Sequence, residues 1–550
     1  MYKSIILFWG YMKIKNLFVT FLTLTFVTFT YAASDTTSSI RGVIKGPDGN
    51  PVANASVTVV HEPSGSTVSK SSNAQGVFIA NNLRVGGPYK LTVVSAYGSQ
   101  SVSDIYTKLS ETFSASLVLE ESENVVTVGS KTSYNETYKT GARSNLSSED
   151  LSSISSITRG LKDAVATVPF VNVYSLSFED DDQEGFTIAG QNPRYSTFSV
   201  DGVAQNDDFG LEKQGYPTIQ SPISLDALEQ VTVTVTDFDV RYSGSSAGNI
   251  NAVTKSGTND YSGTVFSYMQ DDSLRGDTVD GFKPTTGEYE EETFGFTFGG
   301  PIIKDKLFFF VNVDNFEKTQ PGRYGAAGSG AVQEVSGVTV AQAQQIIDIA
   351  SSVYNYDAGG YTGLASTLID EDRLAKFDWN INDNHRASYT HQESTNNNSS
   401  EYGSSSSILS LTSGGFLKTT SLEVDSFQLF SDWSDSFSTS LKVSEKSTRQ
   451  RNDNVGGNDF MRATILLTQD SDGDWDDGGP QVLLGPDPFR HANSLTTDTR
   501  NIEFEFNKLI GIHEIVGGYS QKQVDTFNEF RAKGYEAKQA AFHAGLARFR

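Results

Sequence analysis

Two stretches of this chain carry residue types at spacings that could do chemistry. Gly244-Ser245-Ser246-Ala247-Gly248 fits the G-x-S-x-G spacing that raises a nucleophilic serine on a sharp turn. That chemistry needs a buried strand before the turn, a helix after it, and Asp and His downstream. Asn249 to Val253 reads as strand instead, so a hydrolase using Ser246 is not expected. The second stretch is Asp470-Ser471-Asp472-Gly473-Asp474-Trp475-Asp476. Carboxylates at alternate positions around a glycine imitate the first half of a calcium loop, which makes Asp470, Asp472, Asp474 and Asp476 candidate Ca2+ ligands. Gln481 stands where a bidentate Glu would close such a loop, and an acidic surface loop without metal is the competing reading.

Little else is chemically suggestive. The six histidines, His61, His385, His391, His491, His513 and His543, form no i, i+4 pair, and there is neither an H-E-x-x-H nor a phosphate-binding glycine loop. Cysteine is absent, which excludes disulfides, thiolate metal sites and a cysteine nucleophile. These residues describe a protein that binds or moves something, not an enzyme.

Charge and targeting narrow the class. A net charge of −25 argues against nucleic acid as a partner. Lys13-Ile14-Lys15-Asn16, the apolar stretch Leu17 to Phe29 and the small-residue site near Ala32-Ala33 read as a secretory signal peptide over residues 1–33. Met12 starts that signal neatly, so residues 1–11 are expected to come from a start codon placed too early. The mature chain has no apolar run of about 18 residues and hence no transmembrane helix. With 35 Phe and 23 Tyr in an exported acidic chain, aromatic-rich alternating strands point to an outer-membrane β-barrel.

The elements that would position any site are mainly β. Ile40–Ile44, Ala55–Val60, Gly76–Ala80, Tyr89–Ser95 and Ser114–Leu119, broken by the Gly46-to-Pro51 turn, make a small sandwich over residues 34–120. Ser147 to Leu151 and Gly160 to Val165 read as short helices, and Glu179-Asp180-Asp181-Asp182 as a solvated loop. Thr187–Ala189 and Thr197–Val200 are short strands around a Gln191-to-Arg194 turn, and the second ends in the tight-turn pair Asp201-Gly202. Ser224 caps a helical turn that feeds the strand Gln230–Thr236. From about residue 260 the period becomes two. Ala375, Phe377, Trp379 and Ile381 alternate with Lys376, Asp378 and Asn380, and Ile502, Phe504 and Phe506 with Glu503 and Glu505. This is the apolar-out, polar-in code of a transmembrane strand. Short turns such as Asn382-Asp383-Asn384 join some pairs, and long polar segments (320–368, 394–418, 451–496) join others. The Gly244–Gly248 glycines are then expected at a turn passing close to the barrel wall.

Four segments in order, AGQNPRY (189–195), DGVAQNDDFG (201–210), SLDALEQVTV (224–233) and VRYSGSSAGNINAVTKSGTN (240–259), resemble the plug domain of TonB-dependent outer-membrane receptors of the Oar-like family. Gly190, Gln191, Asn192, Arg194, Asp201, Gly202, Asn206 and Asp207 carry the resemblance. The openings GVIKGPDGNPVANASV (42–57), NAQGVF (73–78) and GGPYKLTV (86–93) resemble a carboxypeptidase regulatory-like domain, a non-catalytic sandwich of carbohydrate-binding-like fold that precedes the plug in the periplasm. The resemblance implies a sandwich at 34–120, an α+β plug at 121–257 and the front of an antiparallel barrel at 258–550. It implies energy-coupled movement of an extracellular ligand, not identifiable from the sequence, through a plugged barrel in outer-membrane lipid. It also implies a TonB-type inner-membrane partner. Glu123, Asn124, Val125, Val126, Thr127 and Val128 resemble a TonB box, an extended segment whose backbone adds to a partner's sheet. The last strand of the sandwich or the first of the plug is the competing reading for that run. A surface-binding or adhesion protein with an immobile plug is the alternative function.

Roughly nine or ten strand-like segments follow residue 260, against about 22 in plugged outer-membrane transporters. An open sheet of that size leaves edges unpaired in lipid. Phe530 to Arg550 loses the alternation, is basic and alanine-rich, and lacks a terminal aromatic. The expectation is a truncated or frameshifted chain, inactive alone, whose missing half is encoded immediately downstream.

Overall fold

The computed structural model describes residues 36–119, 142–175, 184–235, 246–530, 538–543 and 546–549, apart from short gaps at 275, 277, 279, 282–286, 402, 470–471, 476–477 and 491–492. The signal-peptide stretch, Glu123 to Val128, the acidic run Glu179–Asp182, Gly244-Ser245, Asp470 and Asp476 lie outside the described residues.

Seven strands form the sandwich: β1 (Ser38–Lys45), β2 (Ser56–His61), β3 (Ser66–Ser71), β4 (Val77–Leu83), β5 (Gly86–Ser95), β6 (Gly98–Thr107) and β7 (Thr112–Val118). A three-stranded sheet, β4-β1-β7, faces a four-stranded one, β3-β2-β5-β6. Alternate residues of each, among them Ile40, Ile44, Val57, Val59, Phe78 and Leu91, are buried between them. The sequence pattern missed β3 and β6, whose STVSKS and GSQSVSDIYT hardly alternate.

In the plug, α1 (Ser148–Ser152) starts with a capping box between Ser147 and Asp150, and α2 (Leu161–Val165) follows. β9 (Val171–Ser175) pairs with β10 (Glu184–Ile188). β8 (Arg143–Ser147), β11 (Thr197–Val200), β12 (Val203–Ala204), β13 (Leu228–Thr234) and β14 (Asn249–Thr254) form one sheet in the order β12-β11-β14-β13-β8. Its core gathers Leu161, Val165, Ile188, Phe198, Val231 and Ile250.

Nine long strands follow in a single antiparallel sheet. They are β15 (Ser262–Asp271), β16 (Glu290–Ile303), β17 (Leu307–Gln320), β20 (Ser366–Asn382), β21 (His385–Ser400), β23 (Phe416–Ser434), β24 (Phe437–Asn454), β27 (Asn493–Ile510) and β28 (His513–Phe530). β15 and β28 are its edges, so the barrel is partial. Phe377 and Trp379 point outwards at 39 % and 50 % exposed, whereas Lys376 and Asp378, which alternate with them, are buried, the first against the plug and the second against Arg84 of the sandwich. The apolar-out, polar-in expectation is met in the middle of β20, whereas Phe310 of β17 and Leu422 and Val424 of β23 face inward against the plug. Among the described residues no helix is long and apolar enough to cross a membrane, which leaves crossing by strands untouched.

Two expectations need correction. The long connections are shorter than their polar composition suggested, because β20, β21, β23, β24 and β27 extend into them. Ser394, Asn396 and Asn398 read as loop, yet they are inward positions of β21 buried against the plug, where a polar side chain is the rule. What remains of the connections folds together. β18 (Tyr324–Ala327), β19 (Gln333–Thr339), α3 (Val340–Tyr354), β22 (Ile408–Ser410), β25 (Ala463–Leu466) and β26 (Gln481–Leu484) share an apolar core of Val335, Ile346, Leu409, Leu411, Ile465 and Val482. The stretch after Phe530 also contains strands, β29 (Lys538–His543) and β30 (Leu546–Phe549). β29 pairs with β25, so a distant edge supplies what local alternation did not.

Candidate functional site

The plug meets the wall along the segment 201–212 and again at 219–222, where Asn396 Oδ1 accepts from the Ile219 and Gln220 N–H groups and Gln392 donates to the Pro222 carbonyl. β11 runs into β12 through Asp201 and Gly202, whose φ values of 45° and 75° make the left-handed two-residue turn that Asp-Gly favours. Within the plug, the Asp201 carboxylate accepts from Thr254 N at 2.9 Å and Thr254 Oγ1 at 2.6 Å, which ties the turn to β14. The wall holds it from the other side: Thr390 Oγ1 donates at 3.2 Å and Lys376 Nζ lies 3.4 Å away. Gln428 donates to the Asp201 carbonyl at 2.9 Å, and Lys442 to that of Gly202.

The contact continues along the segment. Gln205 and Gln392 exchange amide hydrogen bonds. Lys446 donates to the Asn206 carbonyl at 2.7 Å and pairs with Asp208 at 2.7 Å. Lys522 reaches Asp208 at 2.6 Å, and Lys418 reaches Glu212 at 3.0 Å. Burial raises the Asp208 pKa, but Lys446 and Lys522 outweigh it and bring the carboxyl down to about 2. A row of lysines from β20, β23, β24 and β28 thus receives the carbonyls and carboxylates of one plug segment. It is a charge-assisted seam, stronger per bond than a neutral one.

The structure divides the eight plug-motif residues between two tasks. Asp201, Gly202 and Asn206 meet the wall. The others shape the plug: Gly190 adopts φ 73° in the turn that the Gln191 N–H closes onto the Ile188 carbonyl, and Asn192 caps the Arg194 N–H at 3.0 Å. Arg194 then clasps the segment from inside, donating to the carbonyls of Glu212 at 3.0 Å and Leu211 at 2.6 Å. Asp207 accepts from the Phe209 and Glu212 N–H groups and folds the same loop. Asp208, Glu212 and the lysines were missed. Their only trace in the sequence is a lysine at an inward position of an alternating strand, as Lys376 is.

The other candidates come out differently. Asp472 and Asp474 are exposed. Among the described residues the metal-capable group is instead His391, Glu423 and Asp425, outward on β21 and β23, with ligand atoms within 4.8 Å of one another. Ser246 is exposed and leads into strand β14, not into a helix. For Gly248 the expected approach to the wall needs correction too. A Cβ on Gly248 would lie 2.6 Å from Ile188 of the plug core, whereas the backbone that approaches the wall is at Gly257, 2.3 Å from the Phe309 carbonyl by the same measure.

Fold and seam define a class: an outer-membrane β-barrel sheet with a folded plug held inside it. Comparison with known proteins supplies the family. Residues 39–120 match the carboxypeptidase regulatory-like domain, 136–250 the TonB-dependent receptor plug domain and 253–373 an outer membrane beta barrel domain. The chain is 30% identical over 213 residues to the TonB-dependent transporter Oar of Myxococcus xanthus, a match covering 36% of this chain and 19% of that protein. The outer membrane transporter YddB from Escherichia coli is similar in fold, with a TM-score of 0.51 at 11% identity over 74% of this chain and 51% of that one. The siderophore receptor PirA from Acinetobacter baumannii gives 0.45 at 17%, over 70% and 48%. The chain therefore spans about half the length of these two structures and less of the Myxococcus protein. Its plug and barrel segments are those of TonB-dependent receptors of the outer membrane, and its sequence is similar to the Oar-like kind.

Proposed function

We propose that this chain is the sandwich, plug and front barrel of a TonB-dependent transporter that moves an extracellular ligand by displacing its plug. One observation carries the reading: the plug is held largely by a polar, charge-assisted seam, with smaller apolar patches where Val203 meets Leu422 and Val424 and where Ile219 meets Phe316 and Leu368. Polar intrachain interfaces separate more readily than apolar ones, because each group regains water on parting. In this reading the sandwich lies in the periplasm, and the folded cap of long connections faces outwards and meets the ligand. A TonB-type protein pulls on Glu123 to Val128. Strand addition needs backbone donors, and proline removes one while restricting the chain. Val126→Pro is expected to leave ligand binding intact and abolish transport; normal transport by this variant would move the coupling segment elsewhere.

The adhesion alternative draws support from the cap, which has its own core. Deleting residues 123–128 separates the two, since an immobile-plug adhesin would lose nothing.

A further inference from the structure

The sandwich docks on the short-turn end of the barrel and touches plug and wall together. Arg84 enters the mouth: its Nη1 lies 3.6 Å from Asp378 of β20, its Nη2 donates to Asn380 Oδ1 at 3.4 Å, and its guanidinium sits 5.5 Å from the Phe308 ring centre. Arg386 of β21 flanks the same carboxylate at 3.9 Å and donates back to the sandwich at the Asn82 carbonyl. Lys70 pairs with Asp432 at 2.8 Å and donates to the Ser434 carbonyl beside the β23–β24 turn. At the β27–β28 turn, Arg41 and Asn73 donate to the carbonyls of Ile512 and Gly511 at 2.7 Å each. Sandwich and plug meet through Val85, Leu109 and Val253, and through the Leu109 N–H bonded to Gln230. Where all three bodies converge there is a cavity of about 150 Å3, lined in part by His61 and Arg84, Asp201 and Thr254, Lys376 and Asp378.

We propose that the sandwich is a releasable stopper on this mouth, seated by the Arg84–Asp378–Arg386 fork and the Lys70–Asp432 pair. The inference rests on the transport reading and adds a second moving body to it. Three features support release over permanent attachment. The contacts to the wall are mostly polar, with Val77, Ile79 and Leu509 as a small apolar patch. The junction is polar and roomy enough for water, and wet interfaces part at lower cost than packed ones. When Arg84 withdraws, Asp378 keeps Arg386, so the wall is not left with the unpaired buried carboxylate that makes a broken ion pair costly. The sandwich ends at Val118 and the plug sheet begins at Arg143, so a pull on the residues between them bears on both bodies at once. A ligand leaving past the plug meets the sandwich next.

The chain contains no cysteine, so introduced pairs report alone. Lys70→Cys with Asp432→Cys, bridged by a bis-maleimide in cells carrying the complete receptor, should cross-link in most molecules after treatment with a proton uncoupler. In growing cells the yield should fall several-fold. Asn81→Cys with Ser438→Cys, from a pair 3.4 Å apart, repeats the measurement with both ion pairs intact. Equal yields with and without uncoupler in that second pair would overturn the proposal. Gln205→Cys, buried in the plug seam, separates the two readings through labelling by an impermeant maleimide. Energy-dependent labelling at 205 with constant cross-linking removes the stopper alone. Constant behaviour at both places removes the stopper and plug displacement together.

Discussion

Lys446 of the wall meets Asp208 of the plug at 2.7 Å with only 1 % of the lysine exposed. Lys522, the second partner of that carboxylate, is nearly half exposed and screened by solvent. The buried lysine therefore supplies most of the pairing.

Removing one partner of a buried pair costs about 3 kcal/mol or more when the other charge is left without compensation. Asp208 would keep the half-exposed Lys522, so Lys446→Met should lower the stability of the seated plug by less than that, about 1–2 kcal/mol. Adding Asp208→Asn should restore part of the loss. Protease protection of the plug against denaturant measures both, and additive losses would show that the two residues act separately.

Acid should loosen the same contact within a defined window. The Asp208 pKa is held at about 2, below the ~3.9 of a free aspartate. A depressed carboxyl contributes fully above about pH 4, and the contribution is lost as pH falls through about 2. Plug protection should thus be insensitive to this group between about pH 5 and 7 and should weaken below about pH 4. Asp208→Asn should flatten that part of the profile.

The glycine-serine stretch offers a contrast within three residues. A Cβ on Gly248 would overlap Ile188, so Gly248→Ala should cost about 1–3 kcal/mol through overpacking of the plug core. Ser246→Ala is exposed and should change stability by less than about 0.5 kcal/mol. Thermal unfolding of the two variants checks the order, and a serine-directed activity probe should label neither variant nor the parent.

The acidic loop gives a metal prediction. Four clustered carboxylates, Asp470, Asp472, Asp474 and Asp476, repel one another without a cation. A peptide covering residues 468–481 should bind calcium weakly, with heat measurable by titration calorimetry. No heat would remove the site.

Sequence alone determined whatever depends on neighbours along the chain. Phe377, Trp379 and Ile381 alternating with Lys376, Asp378 and Asn380 give strand and face together, because the period of a strand is two. Asp201-Gly202 gives its turn, because two left-handed residues in succession suit few other pairs. The polar upper half of β21 was not legible as strand: with a lumen on one side, Ser394, Asn396 and Asn398 carry no apolar contrast. Only the tertiary structure decided the seam and the seating of the sandwich. Lys446 and the Asn206 carbonyl are 240 positions apart, and Arg84 and Asn380 296. Contacts at that separation leave no period in the chain. They exist because the strands curve around the plug and bring inward lysines, set by register, against carbonyls and carboxylates set by one tight turn.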